Sequence, residues 1–562
     1  MDTRNVSFRC ATLDRLTARP YDLLVIGGGI TGAGIARDAA MRGFRTALVE
    51  ARDLASGTSS LSSRLIHGGL RYLEQGQFHL VREATRERRT LLTIAPHLVR
   101  PLPFVFPVHK GDRVPLWKLA AGMLLYDLLA PLRNVRRHRI LGKRALLAME
   151  PMLRERGLVG GARYYDAQCD DARLVIATAR SAMLHGADVA TYTRVIGLER
   201  SGGEVRGAVI EDEYMRQGQI RAAVVVNATG PWTDGIRRLE DPGAKPILRR
   251  TRGAHVMVRR ERIGNNAAIT LTSPIDGRVM FVIPWGEFSY VGTTDTDEPG
   301  PPEAATPSED DVHYLLRSAN ACFPQAHLTE EDVISSWAGV RALLDSGEAG
   351  AASSVSREHV IRRGPAGMLT IAGGKLTTYR SMAAELVDEV AAELTRREGR
   401  PRPDRAATDT EPLPGGEAAD LDPMRQTMLD LGLAAETADH LLRHYGTEAA
   451  AICNLGRLER GLLERLHPDH PAIEAEVIHH ARRELATHID DVLVRRIHLH
   501  YETTDHGAQA APRVAALLGR ELDWDESRVR NELTAWQPLS PPVAPAAPPG
   551  AAASPPPPAT PA

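Results

Sequence analysis

Apolar positions along this chain fall into short blocks whose spacing switches between strand-like and helical. YDLLVI, from Tyr21, is a nearly continuous apolar run suited to a strand buried on both faces. GIARDAAMRG then has helical spacing and ends on Gly43, a residue type that closes helices in a left-handed turn. FRTALVE, from Phe44, reads as a second strand. Strand, glycine loop, helix and strand together make a β-α-β unit. Similar apolar runs recur at 222–226, before NATG, and at 368–372, before GGKLTTYR and the helical pattern SMAAELVDEVAAEL. Between 247 and 344 the pattern alternates, in segments such as HVMV, RVMFVIPW and SYVGTTD, which predicts antiparallel strands joined by turns.

These patterns predict an α/β chain, α+β overall. A Rossmann-like dinucleotide-binding domain covers 20–400, with an antiparallel-sheet substrate domain inserted at about 245–350. Residues 1–19 read as a loosely ordered extension. PRPDRAATDTEPLPGG marks a linker over 401–418, and periodic Leu, Ala and Ile among Arg and Glu predict an all-helical domain over 419–536. From Gln537 onward 11 of 26 residues are proline, so 537–562 cannot bury a core and reads as a disordered tail.

Composition narrows the class. The 562 residues are too many for one core, and 69 Lys+Arg against 71 Asp+Glu give no nucleic-acid footprint. Cys10, Cys169, Cys322 and Cys453 form no C-x-x-C pair, which suits a reducing compartment. The N-terminus lacks the apolar core of a secretory signal. LWKLAAGMLLYDLLAPL, from Leu116, is the longest apolar stretch, but Lys118 and Asp127 interrupt it. RNVRRHRILGKR follows, with six Lys/Arg in twelve residues. The pair fits a core helix with a solvated basic loop, or a helix lying on anionic lipid. Histidines 479, 480, 488, 498 and 500 show no convincing ligand spacing and read as a charged helical surface, so no metal is expected.

The chemistry starts at VIGGGITGAG. Gly27, Gly29 and Gly32 fill the G-x-G-x-x-G slots, which allow a tight turn, close approach to a pyrophosphate and close helix packing. The helix start then offers N–H groups to phosphate. Glu50 ends the second strand, can accept hydrogen bonds from a ribose hydroxyl, and disfavours a 2′-phosphate. TSSLSSRLIHGGLRYLE, from Thr58, adds hydroxyls for a pyrophosphate or ring edge and paired glycines, Gly68 and Gly69, for backbone lying against a flat ring. Gly373-Gly374-Lys375 opens a second helix, whose start would stabilise the negative charge of a reduced flavin.

VIGGGITGAGIARDAAMRG, TSSLSSRLIHGGLRYLE, APHLVRPLPFVFPV, DDARLV, VNATGPW, GTTDTD, AGVRAL and GGKLTTYR follow one another as in FAD-dependent glycerol-3-phosphate dehydrogenases, which the chain resembles from about Tyr21 to Arg380. The helical region opened by LPGG resembles the bacterial enzymes' cap of helices. The resemblance implies oxidation of glycerol 3-phosphate to dihydroxyacetone phosphate, with FAD reduced and electrons passed to a membrane quinone. It also implies peripheral attachment to the cytoplasmic face of the inner membrane, and admits a homodimer. His255 and Arg341 match the family's catalytic positions, the first as base and the second as holder of the C2 oxygen. Arg71, Tyr72, Arg357 and Lys375 match a phosphate-binding cluster. Ser60, Ser63, His67, Gly68, Gly230, Gly373, Gly374, Lys375 and Thr377 join Gly27, Gly29, Gly32 and Glu50 as the FAD set. Thr31, Ala342 and Arg357-Glu358-His359 depart from the family's more usual Asn, Pro and Arg-Asp-Tyr.

Two other enzymes use similar parts. A glycerol-3-phosphate oxidase would pass the electrons to oxygen from the same flavin and substrate sites. A glycine-oxidase-like amine oxidase needs a single carboxylate clamp, which the Arg/Lys set argues against. A non-catalytic flavin-binding protein would have no use for His255, Arg341 and the GGK turn together.

Overall fold

The computed structural model describes residues 13–70, 73, 76–129, 134–345 and 358–536. Strand β1 (Tyr21–Ile26), helix α1 (Ile30–Met41) and strand β2 (Thr46–Val49) come first. Every residue of β1 and β2 is buried, which is why both read as near-continuous apolar runs. Helix α2 (Phe78–Ile94), strand β3 (Val99–His109), helix α3 (Leu116–Leu129), strand β4 (Leu158–Cys169), helix α4 (Asp171–Leu184) and strand β5 (Asp188–Ala190) follow. A hairpin, Thr193–Ser201 with Glu204–Asp212, leads into strand β6 (Gln217–Asn227). Strands β7 (Leu248–Arg259), β8 (Ala268–Thr272), β9 (Val279–Trp285) and β10 (Phe288–Gly292) precede helix α5 (Glu309–Cys322) and strand β11 (Val333–Leu344). Strands β12 (His359–Arg363) and β13 (Leu369–Gly373) end at helix α6 (Tyr379–Glu398).

Two sheets result. The first has the order β12-β13-β6-β1-β2-β5, parallel except for β12, and α1 packs between α4 and α6 on it. This crossover pattern puts the glycine loop at the carboxyl end of β1, where open α/β sheets bind ligands. The second sheet runs β7-β10-β9-β8-β3-β4, with β11 also antiparallel to β7. It is therefore not confined to one insertion at 245–350, because β3 and β4 belong to it. Pro101, Pro103 and Pro107 mask the strand signal of β3 in the sequence.

Residues 401–418 contain no helix or strand, yet they do not behave as a loose linker. Leu413 is fully buried and its N–H donates to Ile94 O at 2.8 Å, while Arg37 donates to the carbonyls of Thr408 and Glu411 at 3.1 and 2.8 Å. The segment is a strap across α1 and the end of α2. Beyond it the chain is mainly helical, from Asp422–Asp430 to Glu526–Ala535, with its own apolar core and one small hairpin, Arg465–His467 with His470–Ile473.

Buried ion pairs seal this region onto the first sheet's helices and loops. Arg173 meets Glu484 through two bonds of 2.5 and 2.8 Å, and Asp53 takes Arg495 at 2.6 Å and Arg496 at 2.7 Å. Removing one partner of such a pair strands the other in a low-dielectric setting. His498 Nε2–H donates to Asp170 Oδ2, 2.8 Å away, and His444 approaches the same carboxylate at 3.6 Å. His479, His480, His498 and His500 are thus buried, not arrayed on a charged surface, and only His488 keeps partial exposure. His498 meets Asp170 at the start of α4, while His479 and His480 pack on Tyr445 and Glu484, and His500 on His506 and Trp536, inside the helical region. Among the described residues, Asp170, His444 and His498 are the group with metal-ligand spacing. A direct hydrogen bond already joins two of them.

Residues 1–12 of the extension lie outside the described residues, but 13–18 are helical rather than loosely ordered, with Leu16 fully buried and Arg15 and Arg19 paired to Asp188; residues 537–562 lie outside the described residues entirely. Among the described residues no helix is long and apolar enough to cross a membrane.

Candidate active site

The glycine loop owes its composition to backbone crowding. Gly27 has φ +112°, and a Cβ there would sit 2.7 Å from Ala228 O. At Gly32 a Cβ would lie 1.9 Å from Gly27 O, so α1 can pack this tightly only with glycine. Gly29 caps α1 without a side-chain bond, and Ile30 N–H donates to Ser59 Oγ at 3.1 Å. Glu50 braces the loop: Oε2 accepts from Gly28 N–H at 2.6 Å and Oε1 from Arg52 N–H at 2.9 Å. Burial pushes its carboxyl above the usual range.

A cavity of about 1120 Å³ starts at this loop and runs between the two sheets. It exceeds the roughly 300–1,000 Å³ usual for small-molecule sites, as a dinucleotide plus a substrate requires. Gly27, Gly29, Glu50, Ser63, His67, Gly230, Gly373, Gly374, Lys375 and Thr377 line it, together with His255 and Arg341. His67 N–H donates to Thr377 Oγ1 at 3.2 Å, which ties the early Ser/Gly turn to the late GGK turn. Gly373 and Gly374 have φ +80° and +85°, and a Cβ on Gly374 would strike Met382 at 2.4 Å. Gly32 and Ser60 lie off the cavity wall, Ser60 facing a smaller neighbouring cavity of about 420 Å³. Gly68 is also off the wall: its N–H donates to Asp166 at 3.0 Å and its Cα packs on Tyr126, where a Cβ would come within 2.0 Å of the hydroxyl. Arg71, Tyr72 and Arg357 lie outside the described residues.

The second sheet supplies the reactive wall. Antiparallel β7 and β11 set His255 opposite Trp337 and Thr251 opposite Arg341. The His255 ring stacks on Trp337, with centroids 5.1 Å apart and planes 12° from parallel. Its Nε2 is 2.9 Å from Ser63 Oγ, while the buried Nδ1 has no hydrogen-bond partner. Burial first, then the Arg341 and Arg64 cations, hold its pKa down to about 3. The ring is therefore unprotonated at ordinary pH. Arg341 donates to Asp295 Oδ1 at 3.1 Å, Thr293 Oγ1 at 2.9 Å and Thr294 O at 3.2 Å.

Several wall residues escape a reading of the sequence. A Cβ at Gly253 would lie 2.1 Å from Arg341 Nη2, and one at Gly292 would lie 2.0 Å from His255 Cδ2. Both glycines make room for the two functional side chains. Glycines inside the strand patterns RGAHVMV and SYVGTTD were the available signal. Arg278 also lines the cavity and shares Asp295 with Arg341, at 3.2 Å. One end of the cavity is apolar, formed by Phe104, Phe106, Phe281 and the α3 residues Leu119 and Leu125. The opposite face of α3 exposes Trp117, Leu124 and Leu128.

Known proteins share this architecture. The FAD dependent oxidoreductase family matches residues 22–380, and the C-terminal domain of alpha-glycerophosphate oxidase matches residues 406–529. Glycerol-3-phosphate dehydrogenase 2 of Mycobacterium tuberculosis is 39% identical over 532 residues, covering 93% of this chain and 89% of its own. The mitochondrial glycerol-3-phosphate dehydrogenase of Rattus norvegicus is 37% identical over 536 residues, covering 91% of this chain and 72% of its own. The crystal structure of the glycerol-3-phosphate dehydrogenase from Bacillus halodurans complexed with FAD is similar with a TM-score of 0.77 at 30% identity, over 94% of this chain and 97% of that one.

Proposed function

The chain belongs to the FAD-dependent glycerol-3-phosphate dehydrogenase family, and on that premise we propose that it oxidises glycerol 3-phosphate to dihydroxyacetone phosphate and passes the electrons to a membrane quinone. FAD is its cofactor. The residues present fit that group: Gly27 and Gly32 form a cradle that a Cβ would fill, and the α1 start adjoins it. Gly27, Gly29 and Glu50 hold the ADP half, while Ser63, His67, Gly230 and the Gly373–Thr377 turn hold the rest. Bound FAD supplies the hydride acceptor.

The observation that carries the reading is the neutral, buried His255 beside Arg341 on the wall of the glycine-lined cavity. Oxidation at C2 removes a hydride and a hydroxyl proton. His255 takes the proton at Nε2, where Ser63 Oγ marks the place that a substrate hydroxyl occupies or passes its proton through. Arg341 holds the C2 oxygen and favours its deprotonated form. Arg71, Tyr72, Arg357 and Lys375 clamp the phosphate; of these, Lys375 lines the same cavity.

Glycerol 3-phosphate added anaerobically should bleach the bound flavin, and a flavin that stays oxidised would refute the activity. His255→Ala should slow flavin reduction far more than it weakens substrate binding; a rise in KM alone would move the base elsewhere. Quinone as acceptor predicts slow peroxide formation in air without added quinone, whereas rapid peroxide release would favour oxygen. Peripheral attachment to the cytoplasmic face of the inner membrane is supported by α3. Its exposed Trp117, Leu124 and Leu128 lie close in the chain to exposed Arg136, Arg137, Arg139, Lys143 and Arg144. Neutralising those cations should reduce co-sedimentation with anionic liposomes, and unchanged binding would clear the segment of that role.

A further inference from the structure

The C-terminal helical region reaches the wall that carries His255 through the helix Leu499–Glu502. Tyr501, in the short helix Leu499–Glu502, packs its ring on Trp337 at 5.4 Å and 61°, and Trp337 carries the stacked His255 ring on its plane. The Tyr501 carbonyl accepts from Ser335 Oγ at 2.8 Å. Ser335, Trp337 and Arg341 alternate along β11, so they share one face of that strand. The same short helix grips a second tryptophan, because Glu502 Oε1 accepts from Trp285 Nε1 at 2.8 Å.

Between these rings lies a buried cation. The Arg64 guanidinium sits 4.5 Å from the Trp285 ring, 5.3 Å from Trp337 and 5.8 Å from Tyr501. None of its nitrogens makes a hydrogen bond, and its ion-pair partner Asp171 is 3.9 Å away. Ring faces, not polar bonds, hold it. Arg64 directly follows Ser63, the hydroxyl that meets His255. The Tyr501 hydroxyl is buried and has no partner, so the ring is the working part of this residue.

We infer that Tyr501 is a positioning residue for His255: it fixes Trp337 and Arg64 from behind, so that docking of the C-terminal region sets the catalytic geometry. The inference rests on the role proposed for His255. Tyr501 does not line the 1120 Å³ cavity, so its loss acts through the His255 orientation.

The test uses full-length holoenzyme and anaerobic single-turnover flavin reduction by glycerol 3-phosphate. Tyr501→Leu keeps an apolar side chain but removes the ring; reduction should slow by roughly 10- to 100-fold, since misplacement of about 1 Å costs that order of rate. FAD content and KM should stay within about twofold. Tyr501→Phe should reduce at the wild-type rate. Ser335→Ala, which removes only the pin to the Tyr501 carbonyl, should slow reduction in the same direction and covers the case of a poorly folding Tyr501→Leu. Glu448→Gln breaks the helical region's ion pair with Arg180 of α4, away from the Arg64, Trp285 and Trp337 cluster, and should lower Tm without slowing reduction. Wild-type rates in Tyr501→Leu and Ser335→Ala, or an equal slowing in Glu448→Gln, would overturn the inference. A slow Tyr501→Phe would also overturn it. Full-rate reduction by His255→Ala would instead overturn the role of His255 itself.

Discussion

Gly253→Ala tests the placement of Arg341 without substituting a charged group. Gly253 lies on β7, and the methyl would sit 2.1 Å from Arg341 Nη2, 2.5 Å from Cζ and 2.6 Å from Thr293 Oγ1. Ordinary contact begins near 3.4 Å, so the guanidinium must retreat by about 1.3 Å. It cannot do so and keep both the Thr293 bond of 2.9 Å and the Asp295 bond of 3.1 Å. An arginine tip can swing away, so the cost to folding stays small while the donor leaves its place. Removing one preorganised donor from a developing oxyanion costs about 10²–10³ in rate, and a displaced donor falls at the low end, roughly 100-fold. Anaerobic stopped-flow reduction of the flavin measures it, with FAD content as the control. The cycle with Arg341→Ala is the sharper readout: once the guanidinium is gone the methyl has nothing to displace, so the double variant should be no slower than Arg341→Ala alone. A rate within about threefold of wild type, or additive losses in the cycle, would refute the reasoning.

Gly32→Ala forces a methyl to within 1.9 Å of Gly27 O, a backbone atom that cannot yield, so the purified protein should have lost most of its flavin absorbance per mole; full occupancy would refute the packing argument. Arg71→Ala should raise KM for glycerol 3-phosphate, and unchanged kinetics would remove Arg71 from the phosphate cluster. Burial holds His97 and His255 near pKa 3 and His500 near 4, below the unfolded value of about 6.5. The unfolded chain then binds more protons, so stability should fall as pH drops from about 6.5 towards 4, by on the order of 1 kcal/mol per pH unit for each histidine. Glu150, raised to about 7 by burial, works the other way below that pH and offsets one of the three. A Tm that stays flat or rises between pH 6.5 and 5 would contradict this.

Much of the nucleotide half was legible because it is local. A loop that must approach phosphate needs glycine at fixed spacing, and Gly27, Gly29 and Gly32 carry that requirement in six residues. The reactive wall was legible in part, through His255 and Arg341, but its shape depends on contacts far apart in the chain. Ser63 meets His255 across 192 residues, and Trp337 reaches it only through the β7–β11 register. The glycines that make room for these side chains look like strand defects until the neighbouring strand is in place. The histidines of the helical region were misread for the same reason. Periodicity shows which face of a helix is polar, not what covers that face, and here buried carboxylates such as Asp170 and Glu484 cover it.

Charge on the wall distinguishes the substrate classes that the fold alone leaves open. Arg278 and Arg341 share Asp295, at 3.2 and 3.1 Å, and all three line the cavity with Lys375. Asp276 is the other carboxylate near Arg278, at 3.6 Å, but it lies off the wall and is largely solvated. Coulomb attraction across water is weak, whereas the shared Asp295 has a side chain only 6% exposed, so its charge is felt more strongly. Two guanidinium groups thus meet at one carboxylate on this part of the wall. An amine substrate brings its own positive charge to the carbon that must lose hydride, and would meet repulsion there. A phosphorylated alcohol brings negative charge at one end and develops it at C2 as the proton leaves. The cations that help hold His255 unprotonated, Arg341 foremost, are therefore also placed to attract the anionic substrate proposed for this cavity.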